Sequence, residues 1–245
     1  MKIETIIKIL KEYCDFSHPL TESNFENLIT DELRAQRENL PYSFTFDHGI
    51  SKLVLLIPHE NFVIKIPFTG WYEEDDYDYA YCEWEDAEKE DNRGPEPVLE
   101  DFYCPFEFAN TPYITLPRAD DYCALEVAIY EDAIEEGVAQ YLAKEWKVDQ
   151  IDEISIYAQE RAKMLDDDKF DATASEKTCK RCEQLSLRCF NSMWIADFFE
   201  IYGEDEFVKL SKFLEKHRIH DLHAGNLGYI DNMPVIVDYS CYREW

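Results

Sequence analysis

The chain is 245 residues long and 46% hydrophobic, so it can build a sizeable core, and disorder of the whole chain is excluded. Its 53 acidic residues against 24 basic ones give a formal charge of -29, which repels phosphate backbones and anionic membrane surfaces, so neither direct nucleic-acid binding nor membrane binding is expected. The longest aliphatic run, 53–57, falls far short of the about 20 residues that span a bilayer, and residues 1–5 carry no apolar secretion core; a cytoplasmic location with reduced cysteines is expected.

Residues 1–41 read as an N-terminal helical segment. Ile3, Ile6, Ile7 and Leu10 form one stripe at helical spacing. A second helix is predicted from Ser23, an N-cap with Glu26 three residues on, towards Arg37, and Pro41 closes the segment. Residues 42–160 read as a small lobe. The aromatic, β-prone stretch 42–46 is followed by the turn signal Asp47-His48-Gly49. Two further short strands, 52–57 and 62–67, with a turn at 58–61, predict an antiparallel meander. An insertion at 71–118 follows, first crowded with acids and tyrosines, then interrupted by Pro95, Pro97, Pro105, Pro112 and Pro117; it reads as an irregular, solvated excursion. Leu125, Ile129, Ile134, Val138, Tyr141 and Leu142 predict a long helix, and 154–157 a strand. Residues 161–245 read as a reduced, mostly helical lobe. It is mixed over 161–190, with apolar-striped helices at 193–199 and 206–216 and a strand at 234–237. The fold class expected is α+β.

The chemistry concentrates near the end of the chain. Ile219-His220-Asp221-Leu222-His223-Ala224-Gly225-Asn226 precedes Val235-Ile236-Val237-Asp238-Tyr239, so an Asp is followed five residues later by an Asn and twelve after that by a second Asp. Transfer of a phosphoryl group from a nucleoside triphosphate needs a divalent metal on the phosphates. Magnesium prefers carboxylate and amide oxygens. A further carboxylate must orient the attacking hydroxyl or accept its proton. A loop presenting Asp221 and Asn226, facing a hairpin that delivers Asp238, supplies these groups. Upstream, Phe62-Val63-Ile64-Lys65-Ile66 sets one lysine in a β-branched strand, with Val63 and Lys65 on one face and Ile64 and Ile66 on the other. A lysine there is either solvated or able to reach nucleotide phosphates. Cys179, Cys182 and Cys189 form only one close pair at helical spacing, which reads as reduced thiols rather than a four-ligand zinc site.

Together these motifs resemble the protein-kinase-like superfamily. The wording Asp221-Leu222-His223-Ala224-Gly225-Asn226 is closer to aminoglycoside and other small-molecule phosphotransferases, and to kinase-like proteins of bacteriophages and mobile elements, than to eukaryotic protein kinases. The resemblance implies a two-lobed fold with a small antiparallel-sheet lobe and a shortened helical lobe. It also implies ATP and magnesium as cofactors. Asp221 then corresponds to the catalytic Asp, and Asn226 and Asp238 to the metal ligands. Lys65 looks like the third-strand lysine, and Gly49-Ile50-Ser51-Lys52 like a reduced phosphate-covering loop whose Gly49 and Ser51 approach the nucleotide. In the family a helix glutamate holds the lysine; Glu126 is favoured, with Glu83, Glu85 and Glu88 as competitors. The segment Ile156-Tyr157-Ala158-Gln159-Glu160 resembles the hinge strand, where the Glu160 backbone would meet the adenine edge.

Departures from the family pattern are plain. Ile219 and His220 stand where protein kinases carry His and Arg, the last motif is Asp238-Tyr239-Ser240, and one glycine serves the phosphate loop. Seven residues follow Asp238, so no peptide-docking platform of the protein-kinase type is expected. Two functions follow. The first is transfer of the γ-phosphoryl group of ATP to a hydroxyl acceptor, small molecule or protein. The alternative is a weak or inactive kinase-fold binding protein whose acidic surface engages a basic or nucleic-acid-binding partner.

Overall fold

The structure is a computed structural model that describes residues 3–14, 45–48, 52–57, 60–67, 119–152, 154–165 and 171–240. The expected helix at 23–37, the insertion 71–118, Gly49, Ser51 and the glutamates at 83, 85 and 88 lie outside the described residues.

Strands β1 (Thr45–His48), β2 (Lys52–Leu56) and β3 (Phe62–Pro67) form an antiparallel meander. Asp47 and His48, read above as part of a turn, instead extend β1, opposite Val54 and Leu53. Pairing with a strongly β-prone partner outweighs the weak strand preference of those two residues. The sheet is completed by β4 (Glu145–Ile151) and β5 (Ile154–Glu160) in the order β1-β2-β3-β5-β4. β4 went unread in the sequence. A register shift between Lys147 and Asp149 breaks the two-residue alternation that would have announced it.

The pleat divides this sheet into two chemically different faces. Leu53, Leu55, Ile57, Phe62, Ile64, Ile66, Ile154, Ile156 and Ala158 share one face. Helix α1 (Ile3–Tyr13) covers it with Ile6, Ile7, Ile9 and Leu10, and Lys11 ties the helix to Asp149 at 2.7 Å. The expected stripe therefore does pack, against the sheet. Strand alternation places Lys52, Lys65, Tyr157, Gln159 and Glu145 on the opposite face. That face is closed by helix α2 (Ala119–Glu136), so all six residues of β3 are buried.

Helix α2 starts before the apolar residues that announced it and stops earlier. Gly137, at φ 70°, ends it: the Gly137 N–H donates to Ile134 O and the Val138 N–H to Ala133 O. This is the double hydrogen-bond pattern of a left-handed helix terminus, which glycine adopts without steric cost. Tyr141 and Leu142, expected to continue the helix, instead sit in and just after a short 3₁₀ turn (Ala139–Tyr141).

A second core surrounds the remaining helices, α3 (Ala172–Gln184), α4 (Ser192–Ile201) and α5 (Glu204–Lys216). It is filled by Trp194, Phe198, Phe207, Phe213, Tyr141 and Tyr239, each less than 2% exposed. Residues 129–142 lie in sequence beside the first sheet yet pack with residues 182–239. One face of α2 thus runs from the polar face of the first sheet, beside Cys123 and Glu126, to the aromatic cluster, which Ile129 and Ala133 join. A small three-stranded sheet, β6 (Lys163–Met164), β7 (Leu227–Ile230) and β8 (Met233–Ile236), completes the α+β architecture. β7 and β8 are joined by Asp231 and Asn232, at φ 52° and 66°. Two positive-φ residues of this type make the tight turn that matches strand twist.

Candidate functional site

The polar face of the first sheet, helix α2 and the end of β8 meet in one buried ion-pair network. Lys65 Nζ donates to Glu126 Oε2 at 2.8 Å and to Glu145 Oε2 at 2.7 Å. Lys52 Nζ donates to Glu126 Oε1 and to Asp238 Oδ1, both at 3.1 Å. Glu126 is therefore shared by two lysines, one on each carboxylate oxygen. Its Oε1 also accepts the backbone N–H groups of Tyr239 and Ser240 at 3.3 Å. Gln159 donates to Glu145 Oε2 at 3.0 Å, and the Ser240 hydroxyl donates to Asp238 Oδ1 at 3.0 Å.

Local sequence explains this convergence. Val54 lies opposite Lys65 and Lys52 two residues earlier, so the two lysines project from one face of adjacent strands. Glu126 stands three residues after Cys123 and three before Ile129, on the stripe of α2 that turns inward. Asp238 lies two residues beyond the end of β8, and the intervening Val237 N–H donates to Asn226 O at 2.9 Å, which holds the strand end against the loop of residues 219–226.

Glu126 and Glu145 side chains are fully buried and the two lysine side chains 5% exposed, whereas Asp238 remains 33% exposed. Charge outside water is costly unless it is paired. Burial opposes the Lys65 charge, but Glu126, Glu145 and Asp238 outweigh it and hold the ammonium well above the ordinary lysine range. Lys52 is raised likewise, burial being outweighed by Asp238 and Glu126. Burial pushes the Asp238 carboxyl above its ordinary range, with Lys52 pulling the other way. Lys65, one of whose readings was a solvated strand residue, is thus a buried, paired cation.

The loop of residues 219–226 is held by its own contacts. Asn226 Nδ2 donates to Asp221 O at 2.7 Å, which commits the amide nitrogen and leaves Oδ1 as the side chain's acceptor. His223 Nδ1 accepts the Gly225 N–H at 3.0 Å, so it acts as a local cap. The Asp221 carboxylate is 45% exposed, 3.7 Å from His223 Nε2.

Lys65, Glu126 and Asp238 therefore meet in one network, and Asp221 with Asn226 forms an adjoining loop. Of the glutamates weighed for Lys65, Glu126 is placed against it, while Glu83, Glu85 and Glu88 lie outside the described residues. Glu160 is different. Its N–H donates to Lys144 O at 2.9 Å and its carboxylate accepts from the Lys144 N–H at 3.1 Å. That commitment removes the Glu160 N–H from the groups expected to hold an adenine edge. Two members of the network were not singled out in the sequence. Lys52 could have been found from the strand alternation that pairs it with Lys65, while Glu145 lay in the unread β4.

Comparison with protein-family models, curated proteins and solved structures finds no match.

The site's capacity for metal follows from donor chemistry. Among the described residues, ligand atoms of Cys123, Glu126 and Glu145 lie within 4.8 Å of one another. Both glutamates there already accept from lysine ammonium groups, and burial, then the Glu145 charge, pushes the Cys123 thiol far up. A metal at that point would have to displace a cation and ionise the thiol. Asp238, a partly exposed carboxylate, and Asn226, whose amide nitrogen is committed, carry oxygens of the type magnesium prefers. The cysteines of α3 and the next loop are free thiols, with Cys179 and Cys189 Sγ 2.9 Å apart. Among the described residues, no helix is long and apolar enough to cross a membrane.

Proposed function

We infer that the protein is an ATP- and magnesium-dependent phosphotransferase with a two-lobed, protein-kinase-like arrangement. It moves the γ-phosphoryl group to a hydroxyl acceptor. The observation that carries this reading is the joining of Lys65, Glu126 and Asp238, distant in sequence, through hydrogen bonds of 2.8 to 3.1 Å.

Each residue then has one task. Glu126 fixes Lys65, and Lys65 draws phosphate oxygens to the polar face of the sheet. Asp238 and Asn226 Oδ1 hold the metal, whose charge, when bound, neutralises the phosphates. Asp221, exposed on its loop, orients the acceptor hydroxyl and takes its proton as the new oxygen–phosphorus bond forms. The bond between the γ-phosphorus and the bridging oxygen breaks, and ADP leaves with that electron pair. The Asp221 proton passes to solvent. Work of this kind is mostly positioning and electrostatics.

A second reading keeps the fold and drops turnover. The charge of -29 favours it, because an acidic surface suits a basic protein partner. Thermal unfolding with ATP separates the two. The phosphotransferase reading expects a rise in Tm that requires magnesium and disappears in Asp238→Ala. No shift at millimolar ATP would favour the binding protein.

A further inference from the structure

Among the described residues, Lys52 is the one ammonium that bridges the lysine-holding glutamate and the proposed metal-holding aspartate. Its ammonium lies 3.1 Å from Glu126 Oε1 and 3.1 Å from Asp238 Oδ1. We propose that Lys52 is a placeholder cation that occupies the metal-facing carboxylate of Asp238 until nucleotide arrives and then moves onto the nucleotide's phosphate oxygens. This rests on the phosphotransferase reading above.

Three observations support it. First, charge balance: two ammonium groups face the carboxylates of Glu126, Glu145 and Asp238. Without Lys52 a single ammonium would face all three, in a pocket where unpaired charge is costly. Second, competition: a divalent ion on Asp238 would share the carboxylate with the Lys52 ammonium, and two cations near one oxygen repel. On leaving Asp238, Lys52 loses one of its two carboxylate partners, and a triphosphate brings a new anion to replace it. Third, position: Lys52 opens β2 and directly follows the 49–51 segment, which holds one glycine. Lys52 and Lys65 lie on the same face of adjacent strands, so both can address one phosphate chain.

Lys52 thereby couples the two ligands. Metal alone must compete with an ammonium, whereas metal with nucleotide does not. Coupling of this kind is reciprocal and commonly changes affinity about five- to 150-fold.

The test uses Mn2+ as a paramagnetic probe of the metal site and a non-hydrolysable ATP analogue with Mg2+ as the nucleotide, both titrated against the full chain. In Lys52→Met, Mn2+ without nucleotide should bind about ten-fold tighter than in wild type, and the analogue about ten-fold weaker. Loss of packing alone would not move the two affinities in opposite directions. Circular dichroism checks folding, and Lys52→Gln, which keeps a donor for Glu126, repeats the measurement should the Met variant unfold. If wild type binds the analogue and neither affinity changes in the variants, Lys52 is not a placeholder. If wild type binds no analogue, the phosphotransferase reading fails. The Mn2+ arm then still decides whether Lys52 screens Asp238, and an unchanged Mn2+ affinity overturns that as well.

Discussion

Lys65→Met removes one of two ammonium groups from a pocket in which the Glu126 and Glu145 side chains are fully buried. The methionine fills similar volume, so the loss is mainly electrostatic. Glu126 retains Lys52 and the two backbone N–H groups, but Glu145 retains only the Gln159 amide among the described residues, and its Oε1 already has no hydrogen-bond partner. Breaking a buried pair by removing one partner costs about 3–5 kcal/mol. For a chain of this size that is a fall in Tm of roughly 6–20 °C, at about 2–4 °C per kcal/mol. Lys65→Met/Glu145→Leu should recover much of the loss, because one carboxylate leaves with the ammonium. A neutral-pH loss below about 1 kcal/mol would refute a buried, paired Lys65.

Three further outcomes can be checked separately. Gly228→Ala places a Cβ 2.8 Å from Lys163 O and 3.0 Å from Ala162 Cβ, so β6 must shift; chemical denaturation should register about 1–3 kcal/mol of destabilisation. Asp171 caps α3 by accepting the N–H groups of Thr173 and Ala174, and Asp171→Ala should cost about 0.5–2 kcal/mol in the same assay. In native-state thiol labelling followed by peptide mass mapping, exposed Cys179 should react well before Cys14 and Cys123, because burial pushes the Cys14 thiol up to about 12 and raises Cys123 strongly.

Much of the chain was readable because burial on one face leaves a period in the sequence. The α1 stripe and the apolar helices at 192–201 and 204–216 carry such a period, while β3, buried on both faces, was readable as a short β-branched run after a turn. The motif at 221–238 was readable because carboxylate and amide at fixed spacing have few structural uses together. What was hidden depended on non-local partners. β4 lost its alternation to a bulge, and β7 is short and paired on both sides. Glu145 became visible as a site residue only when β4 paired with β5 and brought it beside Lys65. Strand alternation sets Lys52 on the Lys65 face, but the carboxylates that pair with it come from α2 and from Asp238, far along the chain.

A crystal structure of the protein with magnesium and a non-hydrolysable ATP analogue bears most directly on the phosphotransferase reading. The expected result is a metal ligated by Asp238 and by Asn226 Oδ1, with Lys65 Nζ on phosphate oxygens and Glu126 still holding it. Nucleotide bound away from this network, or a network unchanged at saturating analogue with Asp238 still paired to Lys52, would contradict it.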